Sequence, residues 1–124
     1  MPGRIRIEAG GVVVEAELNQ SHTARAVWEA LPLRARAHRW GDEIFFDIDV
    51  HVGQAGDSRT VMEVGEVAYW PAGPALCLFF GPTPVSRGEA PEAYSDVNPV
   101  GRIVGEARLL NGVVEGAEIG VEPA

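Results

Sequence analysis

Apolar and polar residues alternate with a period of two along most of the chain. Ile5 and Ile7 alternate with Arg4, Arg6 and Glu8, and Val12, Val14, Ala16 and Leu18 alternate with Val13, Glu15 and Glu17. Such a period puts every second side chain on one face, so each run predicts a strand with one wet face. Gly10-Gly11 lies between them. Two glycines can both take positive φ, which a tight hairpin turn requires. The rhythm then changes. Ala24, Val27, Trp28 and Leu31 fall at i, i+3, i+4 and i+7, one stripe of a helix. Ser21 is a suitable N-cap and Pro32 a stop, which predicts a helix over 22–31.

The period of two returns from Leu33 to Trp40 and breaks at Gly41-Asp42. The longest predicted strand follows, Glu43 to Val52. Ile44, Phe46, Ile48, Val50 and Val52 form its core face, and Glu43, Phe45, Asp47, Asp49 and His51 its other face. Residues 53–58 read as a loop, and Val61 to Glu63 as a short strand. Val67 to Trp70 is a strand ended by Pro71-Ala72-Gly73-Pro74. Leu76 to Phe80 is almost continuously apolar, the pattern of a strand buried on both faces. Residues 85–98 are rich in Gly, Pro, Ser, Asp and Asn and predict a long loop or lid. Val100 to Val104 is a strand, Glu106 to Asn111 a short second helical turn capped by Gly112, and Ala117 to Glu122 a final strand. The expectation is a mainly β fold of about eight strands and one main helix, closed into a barrel or sandwich so that few edges stay exposed. With 124 residues and no repeat or linker, residues 1–124 are expected to form a single domain.

Charge narrows the function. Ten basic residues stand against eighteen acidic ones, for a net charge of −8. Such a surface repels phosphate backbones and anionic membranes, so neither nucleic acid nor membrane is an expected partner. All ten basic residues are arginine. Without lysine there is no Schiff base to pyridoxal-type cofactors and no Walker lysine; no cofactor is expected. The N-terminal residues lack the apolar stretch of a signal peptide, so a soluble, cytoplasmic protein is expected. The single cysteine, Cys77, sits in an apolar run and reads as a buried, inert thiol.

Several stretches carry a family resemblance: Ser21 to Pro32, Arg39-Trp40-Gly41-Asp42-Glu43-Ile44-Phe45-Phe46, Gly65 to Gly73 continuing through Phe79-Phe80-Gly81-Pro82-Thr83-Pro84, and Asn98-Pro99-Val100-Gly101-Arg102-Ile103. Together they resemble the small cyclophilin-like domains of bacteria and archaea, over nearly the whole chain. The resemblance implies a closed eight-stranded β-barrel with a helix plugging one end, and no settled activity. Cyclophilins proper are peptidyl-prolyl isomerases, with an arginine in a Phe-His-Arg-Val stretch followed by Gln-Gly-Gly-Asp. Here the counterpart is Ala37-His38-Arg39-Trp40, and no Gln-Gly-Gly-Asp follows.

Arg39 is the candidate catalytic group. A fixed guanidinium donating to a prolyl nitrogen favours the twisted amide; the plainer role is an ion pair with Asp42 or Glu43. Phe45 interrupts a polar strand face, as a groove or interface aromatic does. Tyr69 and Trp70 point to opposite faces, so only one can be fully core. Asp47, Asp49 and His51 share a face, but alternate strand residues stand roughly 6.5–7 Å apart, wide for one metal ion, and a solvated face is the simpler reading. Gly65 to Gly73 also matches the start of a second cupin motif, with Leu76 where a ligating histidine belongs. No Gly-x-Ser-x-Gly elbow is present. The expected function is a binding module for a small molecule or extended peptide, in a groove lined by some of Arg39, Glu43, Phe45, Tyr69, Phe79, Thr83 and Pro84. The alternatives are an isomerase with a changed catalytic set and a metal enzyme at the Asp47–His51 face. An exposed aromatic face would also suit a homodimer interface.

Overall fold

A computed structural model describes residues 2–124. Strand β1 (Arg4–Ala9) turns through Gly10 and Gly11, with φ of 54° and 87°, into β2 (Val12–Leu18). Both central residues have positive φ, so the strands keep their twist across a two-residue turn. Helix α1 (His22–Glu29) follows. The Ser21 hydroxyl accepts from the Ala24 N–H as N-cap, and Ala24 and Val27 are fully buried on the predicted stripe. Then come β3 (Leu33–Arg36), β4 (His38–Trp40), β5 (Glu43–Asp47), β6 (Arg59–Val61), β7 (Glu66–Trp70), β8 (Ala75–Phe79) and β9 (Glu92–Val104). A 3-10 helix (Ala107–Gly112) and β10 (Glu118–Pro123) complete the chain. Among the described residues, no helix is long and apolar enough to cross a membrane.

The fold is mainly β and the pairing is antiparallel. The strand order is β3-β10-β1-β2-β9-β7-β8-β5-β4, with β6 added on β9. The expected eight strands are therefore ten, and hydrogen bonds do not close the path. The predicted strand Leu33 to Trp40 is split at Ala37, whose N–H and C=O bond to Ala117 and Gly116 instead of continuing one ladder. Its halves, β3 and β4, end up at opposite ends of the strand order.

Three other expectations shift. Strand β5 stops at Asp47 and not at Val52, because its last pair on β8 is Asp47 with Ala75 and the Pro71–Pro74 turn begins just beyond. Ile48 and Val50 stay buried without a ladder, held by the Tyr69 hydroxyl, which donates to Val50 O at 2.6 Å and accepts from Val52 N at 3.1 Å. The loop or lid expected over 85–98 ends at Pro91, and Glu92 already begins the 13-residue β9. Pro99, which has no N–H to give a ladder, sits in β9 beside a shift in the β7–β9 register, where such a residue is best tolerated. The short strand expected over 61–63 forms at Arg59–Val61.

Alternation sorts the core into two parts. Ile5, Ile7, Val14, Ile44, Phe46, Val67, Tyr69, Leu76, Leu78, Phe80 and Val121 belong to the main core. Met62, Ala68, Cys77, Phe79, Ala93 and Val97 form a second cluster on the opposite face of β5, β7 and β8, with Phe45 and Trp70 packed against it. The β8 residues are buried on both faces, as their apolar run predicts. What covers the second face is β6 and the first half of β9, which leave the ladder to pair with each other.

Candidate functional site

The register of four strands builds a site on that second face. Trp40 on β4 pairs with Glu43 on β5, and Phe45 on β5 pairs with Cys77 on β8. Cys77 pairs in turn with Ala68 on β7, two residues before Trp70. Partners across a ladder share a face, so Trp40, Glu43, Phe45, Cys77 and Trp70 all point the same way. The first half of β9 brings Ala93, Tyr94 and Val97 over them. Together these eight residues line a cavity of about 220 Å³.

Its walls are aromatic. The ring centroids of Trp40 and Tyr94 stand 6.2 Å apart, those of Trp70 and Tyr94 6.2 Å, and those of Phe45 and Trp70 6.4 Å, with interplanar angles of 75°, 79° and 80°. Edge-to-face contacts of this kind are favourable for the ring quadrupoles and hold the walls apart. The Trp70 indole N–H is committed to Ser95 Oγ at 2.7 Å. The one carboxyl group in the lining is Glu43. It is 5% exposed, and its Oε1 has no hydrogen-bond partner. Burial pushes its pKa up to about 7, against a smaller downward pull from the Cys77 thiol. Burial and the neighbouring Glu43 push Cys77 well above the ordinary thiol range, so it stands as a neutral donor.

A turn fixes Trp40 and Glu43 relative to each other. Gly41 has φ of 60°, and a Cβ there would stand 2.8 Å from Pro84 Cδ and 3.0 Å from Pro82 O. Asp42 N donates to Pro82 O at 2.9 Å and Phe80 N to Asp42 O at 2.9 Å, which sews the 80–84 segment onto the turn.

A family model described as cyclophilin-like matches residues 3–122. The chain belongs to the cyclophilin-like family. It is also similar to a hypothetical protein of Archaeoglobus fulgidus whose structure was determined in solution, with 43% identity and a TM-score of 0.85 over 99% of this chain and 95% of the other. No curated protein matches it.

Within this cyclophilin-like chain the expected groove residues go to different places. Glu43 and Phe45 line the cavity, and Phe79 belongs to the apolar cluster beneath it. Tyr69 points into the main core and is fully buried, while Trp70, on the other face, takes the site position. Thr83 acts within its loop: its hydroxyl donates to Glu92 O and its N–H to Ser86 Oγ. Pro84 packs over Gly41. Arg39 faces away from Trp40 and braces the fold. Its guanidinium donates to Gly41 O, Asn111 O, Val113 O and Asn111 Oδ1, lies 3.6 Å from Asp42 and stacks 5.1 Å over Phe80. No group of three His, Cys, Asp or Glu among the described residues is placed to hold a metal ion. His51 and Asp49 pair with each other in solvent at 2.9 Å.

Trp40, Cys77, Ala93, Tyr94 and Val97 are lining residues that the sequence alone does not single out as a site, and between Tyr69 and Trp70 it leaves the choice open. Alternation along β7 separates Trp70 from Tyr69, and the ladder register decides between them. Placing Phe45 opposite Cys77, and Cys77 opposite Ala68, puts Trp70 on the face of Glu43 and Tyr69 on the other. The β9 residues carried no signal, because the stretch reads as loop.

Proposed function

We propose that the protein is a binding module for a small, largely apolar molecule, taken into the aromatic cavity over β4, β5, β7, β8 and β9. The observation that supports this most directly is the buried Glu43 carboxyl with an unpartnered oxygen in an otherwise apolar lining. A buried polar atom without a partner costs about 1–3 kcal/mol, and a bound molecule that compensates the Glu43 carboxyl recovers part of that cost. An apolar pocket with one polar group that fixes orientation is the usual make-up of a small-ligand site. Isomerase chemistry has less support, since the donors of Arg39 are already spent on the fold. The same reading treats Leu33 to Trp40 as one bent strand, paired with β10 by its first half and β5 by its second. Eight strands then make a ring, completed by the covalent chain at Ala37.

A fragment panel of small apolar molecules tests the function. Binding is expected to shift the indole N–H resonances of Trp40 and Trp70 but not that of Trp28, which lies on α1 against the main core. Ala93→Leu, which fills the cavity, is expected to abolish the shifts. Fragments that bind equally well to the filled variant, or none that binds at all, would refute the proposal.

A further inference from the structure

The chemistry of the cavity walls narrows what it takes. The lining offers one carboxylic acid, four aromatic side chains and no basic side chain. An anion would find nothing there to neutralise it. A neutral hydrocarbon would fill the space but offer no charge to the Glu43 carboxylate once it ionises. A cation answers both features, because ring faces attract positive charge and a carboxylate pairs with it. The rings stand at 75–80° to their neighbours, as the sides of a box do, and not stacked as for a flat base. At about 220 Å³ the box is smaller than the roughly 300–1,000 Å³ of drug-sized pockets, so it suits a compact head group.

We propose that the cavity binds a methylated ammonium cation, held by Trp40, Phe45, Trp70 and Tyr94 and paired with Glu43. The inference rests on the small-molecule reading above and names its ligand class. It also fixes a pH dependence, because Glu43 must be ionised to pair. The other titratable groups around the cavity are Cys77 from β8 and Tyr94 from β9. His38 of β4 stacks on Phe45 and is held by Glu115 at 2.9 Å, Glu92 of β9 is paired with Arg87, and Asp42 in the turn with Arg39. Strand β7 contributes none to the lining. Only Glu43 is both buried in the lining and an acid.

Choline and its neutral carbon isostere, 3,3-dimethyl-1-butanol, separate charge from shape. At pH 8.5 choline is expected to bind the full chain at least about 10-fold more tightly than the isostere. The preference should shrink in Glu43→Gln, shrink again in Tyr94→Ala, and weaken about 10-fold between pH 8.5 and pH 5.5 in the native protein only. Equal binding of the two compounds would overturn the ammonium assignment while leaving the small-molecule site standing. No binding of choline alongside fragment binding in the cavity would do the same. Failure of choline and of every fragment would remove both readings.

Discussion

A carboxyl group that is 5% exposed and keeps its proton up to about pH 7 makes the stability of the whole chain depend on pH in an unusual sense. In the unfolded chain Glu43 releases its proton near the ordinary carboxyl value of 4.5, whereas in the folded chain it holds it to about 7. Between those values the folded state binds the extra proton, so this residue's contribution to stability falls as pH rises, and the loss is complete above about 7. The difference is on the order of 3 kcal/mol. Glu43→Gln keeps the shape and removes the titration. Relative to the native protein, the variant is expected to be about equally stable at pH 4 and to gain on the order of 3 kcal/mol by pH 8. Denaturant unfolding of both proteins across that range measures it, and a stability difference independent of pH would contradict the burial argument. The cost of ionising Glu43 in the empty cavity is also what gives a bound cation its advantage.

At the scale of elements, the cavity exists because β6 and the first half of β9 lie over a sheet face that would otherwise be wet. A part-buried ion pair ties β6 of this cover to β7. Glu66 on β7 is 4% exposed; the Arg59 guanidinium of β6 meets it at 2.9 and 2.7 Å, and the Glu63 N–H adds a bond at 2.9 Å. Burial pushes Glu66 up, but the bonds from Arg59 and Glu63 more than offset it, and the carboxyl titrates below its ordinary value. Arg59→Ala leaves that carboxylate buried and unpaired. An expected loss of about 2 kcal/mol follows, below the range for fully buried pairs because Arg59 is partly solvated. Faster amide exchange in 59–61 and 92–97 than in β1 and β2 would locate the loss in the cover; uniform exchange would argue against a local clamp. This cover was the part of the site least legible in the sequence. The β1–β2 hairpin, the helix stripe and the doubly buried β8 follow from periodicity, turn glycines and a cap. The β9 stretch does not, because Ser95, Asp96, Asn98 and Pro99 are turn formers by composition. They are accommodated by tertiary bonds: Asn98 donates to Thr23 and Gly53 and accepts from Ala55, and Ser95 accepts from Trp70. Alternation within one strand separated Tyr69 from Trp70, but only the register between strands says which of them faces Glu43.

For the molecule as a whole, the charge distribution acts on the same cavity from a distance. Arg4, Arg6, Arg36, Arg39, Arg59, Arg87 and Arg102 are each tied to a carboxylate, so little free positive charge remains to balance the excess of acid. Those pairs are mostly exposed and contribute little stability each. The net charge of −8 nonetheless sets a negative potential around the chain that draws cations toward any opening in it. A larger depression, of about 460 Å³, lies over β1, β3 and β10, but its Arg6 is already paired with Glu8 and Glu122. The aromatic cavity combines this field with an unpaired acid. Salt shrinks the reach of the field from about 30 Å at 0.01 M to about 3 Å at 1 M. Choline binding is therefore expected to weaken several-fold between those ionic strengths, through a slower association rate, while 3,3-dimethyl-1-butanol binding stays level. Equal salt responses of the two compounds, followed by the fluorescence of Trp40 and Trp70, would mean that the field plays no part and that any preference for the cation arises inside the cavity, from Glu43 and the rings.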